Sequence, residues 1–341
     1  MNLPPEFISN IQNTFREEGH AFLESLPDLI AEASARWGLT DAVPAPELSY
    51  NFVAFAKTSF TATPQGGDKI TKHAKIKNGL RDLSALGGST DVVLKMGVPN
   101  GEIRSEMAAL KLFNGEGACK LLEYDEKRCW MLLERLRPGV MLVGMEDDEE
   151  RTHIAAEVMK KIWVSVGTQS SPKGDIGVSL PDNFIQLTDW FHGAFERMRK
   201  TFNGGTGPFN QKIVERVESS VRDFFAENHN PVLMHGDFHH YNILSSERGW
   251  LVIDPKGVIG PAGYEVGPFM LNPWSGFSDG VNYKSMIKKR IDTLHEHLGF
   301  ERERILEWSL AHAILSSWWS FEDNTGWESA SRFAKILSTI K

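Results

Sequence analysis

Cysteine is scarce: only Cys119 and Cys129 occur in 341 residues, ten positions apart and with no CxxC partner. That scarcity excludes a disulfide framework and supplies neither the spacing of a structural zinc site nor that of a redox centre, so both read as reduced packing residues. Long apolar runs are also missing, since no window approaches the roughly 20 consecutive apolar residues of a membrane span. The opening MNLPPEFISN has no basic stretch followed by an apolar core and a small-residue cleavage site, and the expectation is a cytoplasmic chain with no membrane attachment. Basic excess is absent too, with 37 Lys and Arg against 45 Asp and Glu for a net charge of −8. Such a balance argues against non-specific nucleic-acid binding, which needs cations to displace phosphate counterions, and it suits a cationic small-molecule partner. Nothing in the composition speaks to oligomeric state.

What is present is ordinary globular material. At 341 residues the chain exceeds the ~250–300 at which single cores stop growing, so two domains are expected. From Pro5 to Trp37 apolar residues recur at helical spacing and predict two helices broken near Gly19, and Pro44 and Pro46 then mark a boundary. Leu48–Ala56 and Asp91–Met96 read as strands. The polar, Gly- and Lys-rich stretch 57–90 between them reads as an insertion. A helix over Ile103–Phe113 and strands near Lys120–Tyr124 and Trp130–Glu134 complete a small β-rich first part. After Arg137-Pro138-Gly139 the pattern becomes long helices, near Glu149–Val166, Asp182–Phe202, Phe209–Glu227, Lys284–Leu298, Glu301–Phe321 and Trp327–Ile340, interrupted by a β-rich stretch at Val232–Pro255. The expected organisation is α+β: a β-rich lobe over residues 1–134, a hinge near Glu134–Pro138, and a mostly helical lobe over 135–341.

One segment carries chemistry. His235-Gly236-Asp237-Phe238-His239-His240-Tyr241-Asn242 is followed by the apolar run Trp250–Ile253 and then Asp254-Pro255-Lys256-Gly257. Phosphoryl transfer needs a base beside the attacking hydroxyl and hard oxygen ligands that hold Mg²⁺ on the phosphates. Asp237, Asn242 five residues later, and Asp254 at the end of the next strand supply those parts in the H-x-D-x-x-x-x-N spacing of a kinase catalytic loop. His239 and His240, being adjacent, point apart and suggest no zinc site, and His235 reads as a hydrogen-bonding support of the loop.

HGDFHHYNIL and VIDPKG resemble the catalytic and metal-binding loops of the aminoglycoside phosphotransferases, which have a protein-kinase-like bilobal fold. With SYNFVA and VVLKMGVPN, the chain is similar over about Phe7–Asp323, leaving out the 57–90 insertion, to the streptomycin 6-kinase branch, also grouped as aminoglycoside/hydroxyurea resistance kinases. The resemblance implies an ATP- and Mg²⁺-dependent kinase with Asp237 as base and Asn242 and Asp254 as metal ligands. It places Lys95 on the nucleotide phosphates with Glu106 as its ion-pair partner, and it makes Glu134 and Leu136 part of an adenine-contacting linker. Glu322 and Asp323 match an acidic stretch suited to a guanidinium-bearing acceptor such as streptomycin. No G-x-G-x-x-G loop precedes Lys95; Ser49-Tyr50-Asn51-Phe52 stands there instead. A kinase of another small polar metabolite or drug, and a catalytically silent nucleotide-binding module, are the alternative readings.

Overall fold

The structure is a computed structural model of the chain, described over residues 3–58, 89–166, 184–227, 230–273 and 282–340. The chain forms two compact units, Met1–Gly115 with Cys119–Leu136, and Glu116–Ala118 with Arg137–Lys341.

The first unit is a five-stranded antiparallel sheet with a long helix. Strands β1 (Leu39–Pro44), β2 (Phe52–Thr58), β3 (Thr90–Met96), β4 (Leu121–Asp125) and β5 (Trp130–Glu134) lie in the order β1-β2-β3-β5-β4. The register pairs Phe52 with Met96, Ala54 with Leu94, and Leu94 with Leu132. Side chains alternate between the faces of a sheet, so these residues share one face, and Phe7, Ile11, Phe22, Leu26 and Trp37 of helix α1 (Pro5–Trp37) cluster with them. Lys95 has the opposite parity and leaves that core on the other side.

Helix α1 does break, but at Arg16 (φ 50°, ψ −120°) rather than at Gly19. Gly19 is needed for a related reason: a Cβ there would collide with the carbonyl of Ile11, because the chain after the break folds closely against the turn before it. Strand β1 was missed by the sequence reading. It carries one buried residue at its start and then a run of exposed ones, so it lacks the alternation that betrays a half-buried strand. Strand β2 ends at Thr58 and β3 begins at Thr90, while the insertion expected over 57–90 falls largely on residues 59–88, outside the described residues. Helix α2 (Gly101–Phe113) follows, capped by Asn100, whose side chain accepts from the Ile103 N–H.

In the second unit the helices are α3 (Asp148–Ile162), α4 (Leu187–Thr201), α5 (Gln211–Ala226), α6 (Val266–Leu271), α7 (Tyr283–Leu298), α8 (Arg302–Glu322) and α9 (Glu328–Leu337). Six of them match expected helices with bounds displaced by up to five residues, the end of the first and the start of the second being taken by short strands, and α6 falls outside the expected helices. Helix α8 is buried along most of its length, including Leu306, Trp308, Leu310, Ala313 and Leu315, and it forms the centre of this unit. Buried Arg290 of α7 joins α3 through a two-bond grip on Asp148 (2.6 and 2.9 Å) and donates to the Asn272 carbonyl at 2.7 Å.

Two small sheets complete the second unit. One has β6 (Pro138–Met141), β10 (Ile243–Ser246) and β11 (Gly249–Val252) in the order β11-β10-β6. The other has β7 (Val164–Ser165), β8 (Ile185–Gln186), β9 (Val232–Met234) and β12 (Val258–Gly260) in the order β7-β9-β12-β8. Strand β6 lies ahead of the helix expected from Glu149 and was not anticipated: Met141 pairs with Leu244 and Pro138 with Ser246, partners about a hundred positions downstream.

Candidate active site

Strand β3 buries Lys95 to 3% exposure, and the opposing face of α2 buries Glu106 to 6%. The Lys95 ammonium donates to both oxygens of Glu106, at 2.6 and 2.7 Å. An ammonium removed from water needs a matched anion, and a two-oxygen grip fixes where the charge sits. At the end of the same strand Gly97 lets Asn51 approach, since a Cβ on Gly97 would collide with Oδ1 of Asn51. The Ser49–Asn51 bend thus packs against the strand that carries Lys95, in the place where a glycine-rich loop would stand. Glu134 closes β5; its carboxylate accepts the Lys120 N–H at 2.9 Å, and its own N–H donates to the Lys120 carbonyl at 2.9 Å. Leu136 is buried two residues on.

In the second unit the segment from His235 to Gly257 is held by backbone-directed hydrogen bonds. Buried Glu265 accepts the N–H groups of His235 (2.8 Å) and Gly236 (2.9 Å), one on each carboxylate oxygen. The His235 carbonyl accepts from Lys256 N–H at 2.8 Å, and the His235 ring spans the Ile253 carbonyl (2.8 Å) and the Asp237 N–H (3.1 Å). A carbonyl can only accept, so Nε2 carries the ring proton and Nδ1 receives the Asp237 N–H. His235 is therefore the support that the sequence reading expected, and it ties the backbone of Asp237 to the strand leading into Asp254. Gly236 (φ +84°) makes the turn between them, where a Cβ would collide with Val258.

With its backbone fixed, Asp237 keeps a side chain that is 40% exposed, and its Oδ1 lies 3.6 Å from Nε2 of His239. Burial raises the Asp237 carboxyl, but nearby cationic groups, His239 foremost and Lys256 next, outweigh it and hold the group below the ordinary aspartate value. Asp237 is thus a carboxylate at neutral pH, able to accept a proton.

Asn242 is oriented from both ends. Its Nδ2 donates to the Asp237 carbonyl at 3.0 Å, and its own carbonyl accepts the Ile253 N–H at 3.0 Å. The β10–β11 hairpin, with Ile243 opposite Val252, brings Asn242 and the Ile253–Asp254 segment to the same end. Because the amide nitrogen is committed to Asp237, the Asn242 oxygen is the atom left for a cation. Asp254 is exposed and holds a left-handed backbone (φ 56°). An amide oxygen and a carboxylate are hard donors that fit Mg²⁺, whereas among the described residues no group of three or more His, Cys, Asp or Glu forms a transition-metal site. His239 and His240 do point apart: His239 faces Asp237, and buried His240 stacks on Phe269 with ring centroids 4.2 Å apart.

Glu322 ends α8, and both its oxygens accept from the Arg197 guanidinium, at 2.6 and 2.9 Å. The two-bond guanidinium grip expected from a ligand is occupied by the protein's own arginine. Asp323 follows as an exposed cap residue whose N–H donates to the Trp319 carbonyl at 2.9 Å. Trp318 is core, stacked on Phe321, whereas half-buried Trp319 meets Trp190 edge to face at 5.1 Å.

Three residues of this region were not singled out from sequence: Glu265, Tyr264 and His312. Tyr264 and His312 are joined by a buried 3.0 Å hydrogen bond. Glu265 and Tyr264 stand together after the VIG strand, and a buried acid in an otherwise apolar stretch is the signal that a sequence reading can use.

Comparison with known proteins identifies the family and the fold. The family model for aminoglycoside/hydroxyurea antibiotic resistance kinases matches residues 83–324. Streptomycin 6-kinase of Streptomyces glaucescens is 24% identical over 95% of this chain and 92% of its own length. Hydroxyurea phosphotransferase of Kitasatospora aureofaciens is 28% identical over 95% of this chain and 81% of its own length. Among solved structures, aminoglycoside phosphotransferase APH(4)-Ia superposes with a TM-score of 0.57 at 14% identity, covering 92% of this chain and 97% of that one. Choline kinase LicA of Streptococcus pneumoniae gives 0.53 at 11% identity, covering 92% and 99%. The fold is the protein-kinase-like fold.

Proposed function

Because the chain belongs to the aminoglycoside/hydroxyurea antibiotic resistance kinase family, we propose that this phosphotransferase moves the γ-phosphate of ATP to a hydroxyl of an aminoglycoside of the streptomycin type, at its 6-position, and so confers resistance. The observation that carries the reading is the pinned backbone and exposed carboxylate of Asp237, with Asn242 bonded to its carbonyl.

In the proposed reaction Asp237 orients the acceptor hydroxyl and takes its proton as the oxygen bonds to the γ-phosphorus. The bond from that phosphorus to the β–γ bridging oxygen breaks, and its electron pair leaves with ADP. Lys95, held by Glu106, is proposed to bind the nucleotide phosphates, and Glu134 with Leu136 to contact the adenine. Asn242 and Asp254 would hold Mg²⁺, which neutralises phosphate charge when bound. Glu322 and Asp323 are proposed to face the cationic acceptor, which requires Glu322 to exchange Arg197 for the ligand.

That requirement favours a second reading, a smaller uncharged acceptor such as hydroxyurea, for which Arg197 stays in place. ADP release in the presence of ATP and Mg²⁺ with streptomycin, hygromycin B, choline and hydroxyurea in turn tests the proposal. Streptomycin-dependent release that disappears in Asp237→Asn supports it. Turnover of hydroxyurea alone replaces it with the second reading, and no acceptor-dependent release from any of the four overturns both.

A further inference from the structure

Behind the catalytic turn lies a buried hydrogen-bonded pair that no step above uses. Tyr264 and Glu265 are consecutive in the 3₁₀ turn 262–265. Glu265 receives the N–H groups of His235 and Gly236, and its neighbour Tyr264 bonds His312 of α8 at 3.0 Å. The chain here approaches α8 without intervening side chains: a Cβ on Gly263 would meet the Trp308 indole at 2.7 Å, and one on Gly267 would meet Cβ of His312 at 2.5 Å. His312 is therefore fixed to the same two-residue anchor that fixes the turn before Asp237.

The roles within the pair follow from what each group can do. Tyr264 is wholly buried, and burial together with the charges of Asp237 and Glu265 pushes its hydroxyl well above the ordinary tyrosine range, so it remains a phenol. A buried phenol O–H needs an acceptor, and Nδ1 of His312 is the one it has among the described residues. Nδ1 then bears no proton, and Nε2 carries it. Burial lowers the His312 imidazole to about 4 against the opposing pull of Asp237, so the ring is neutral at pH 7. His312 retains 6% exposure, and its Nε2 has no protein partner among the described residues. His312 and Asp237 thus hang from one anchor, His312 through its bond to Tyr264 and Asp237 through the two bonds of adjacent Glu265 to the backbone of His235 and Gly236.

We propose that His312, its tautomer set by Tyr264, is an acceptor-binding residue whose Nε2–H donates to an acceptor oxygen beside Asp237, so that the hydroxyl turns its proton towards the carboxylate. The inference rests on the reading of Asp237 as base. A fixed neutral donor suits a hydroxyl-rich acceptor: it supplies direction without a charge that would compete for Asp237. Trp190 meets both Tyr264 (6.2 Å) and half-buried Trp319 (5.1 Å) edge to face, extending an aromatic floor outward from the pair.

The test is steady-state kinetics with streptomycin and Mg-ATP on wild type, Asp237→Asn, His312→Ala, His312→Gln and Tyr264→Phe, with thermal unfolding of each. His312→Ala is expected to lower kcat/KM for streptomycin by about 10- to 100-fold, the range for losing one directed donor, with KM for ATP unchanged. His312→Gln, whose amide places an N–H near the position of Nε2, is expected to recover most of that loss. Tyr264→Phe keeps the ring and frees the tautomer, and is expected to fall between them. A merely structural role moves both substrates' constants with the unfolding temperature and gives no recovery by Gln. Wild-type turnover that Asp237→Asn abolishes, but that His312→Ala and Tyr264→Phe leave within twofold, overturns the inference and leaves the base assignment standing. An active Asp237→Asn, or a wild type without streptomycin turnover, overturns the underlying reading and this inference with it.

Discussion

Glu265 allows a quantitative test of how the catalytic turn is held. It is fully buried, and burial raises its carboxyl from 4.5 to about 8 in spite of the two N–H donors that favour the anion. In the unfolded chain the group titrates at its ordinary value. Between those two values the folded protein holds a proton that the unfolded chain has released, so stability falls as pH rises through this window, by about 1.4 kcal/mol per unit. Full passage through the window amounts to roughly 5 kcal/mol. Glu265→Gln removes the titration and leaves one backbone N–H facing an amide NH₂, a loss of about 1–3 kcal/mol. The variant should therefore be the less stable protein at pH 5.5, and the difference should move by roughly 3 kcal/mol in its favour by pH 7.5 as the wild type weakens, which erases or reverses the deficit. Urea denaturation followed by tryptophan fluorescence at the two pH values measures the difference. Buried His235, His240 and His312, lowered by burial to about 4, 2 and 4, act in the opposite direction, stabilising above pH 6.5 and losing that contribution as pH falls. They are common to both proteins and cancel in the comparison. A deficit that stays constant across pH would show Glu265 ionised throughout and refute the reasoning.

Other perturbations follow from the same contacts. Lys95→Met removes the ammonium held by buried Glu106 and should reduce stability by about 3–5 kcal/mol, most of it recovered in Lys95→Met/Glu106→Leu, as thermal unfolding of the two variants would show. Gly236→Ala forces a positive φ and a collision with Val258, and should lose about 2 kcal/mol or more together with turnover; a variant with wild-type kcat would show the turn to be adaptable. Arg197→Ala frees the Glu322 carboxylate and should lower KM for streptomycin if Glu322 grips the acceptor, whereas an unchanged KM assigns the pair to surface structure alone. Asn242→Ala removes both the bond to the Asp237 carbonyl and the oxygen proposed to hold Mg²⁺, so the Mg²⁺ concentration at half-maximal rate should rise at least tenfold.

The proposed catalytic loop was legible in sequence because its parts are local: Asp237 lies five residues before Asn242, Asn242 and Asp254 flank one hairpin, and the bonds at Asp237 from His235 and Asn242 run between neighbours in the chain. Lys95 was legible because it interrupts an apolar strand, and the sheet register then fixes which face it takes. What escaped depends on partners far away in sequence. Strand β6 has no alternation of its own and becomes a strand only through β10. Glu265 and His312 acquire meaning from contacts 30 and 48 positions distant, and Glu322 from an arginine 125 positions distant. The break in α1 was misplaced by three residues for a similar reason: glycine marks where the chain packs closely, and the backbone turns just before it.

The division between local and distant determinants also bears on how one fold serves different acceptors. APH(4)-Ia and choline kinase LicA share the fold with this chain at 14% and 11% identity, and fold alone does not select an acceptor. In this chain the turn bearing Asp237 is held from behind by Glu265 and His235, through bonds to backbone groups that any side chain at those positions would present. Two of the residues proposed to face the acceptor, His312 and Glu322, instead lie along the C-terminal half of α8 at positions whose side chains alone carry the chemistry. Substitutions along that half-helix leave the bonds to the turn intact. Exchanges at His312 and Glu322 should accordingly alter KM for the acceptor while KM for ATP stays constant, whereas exchanges at Glu265 and His235 should lower kcat for every acceptor alike.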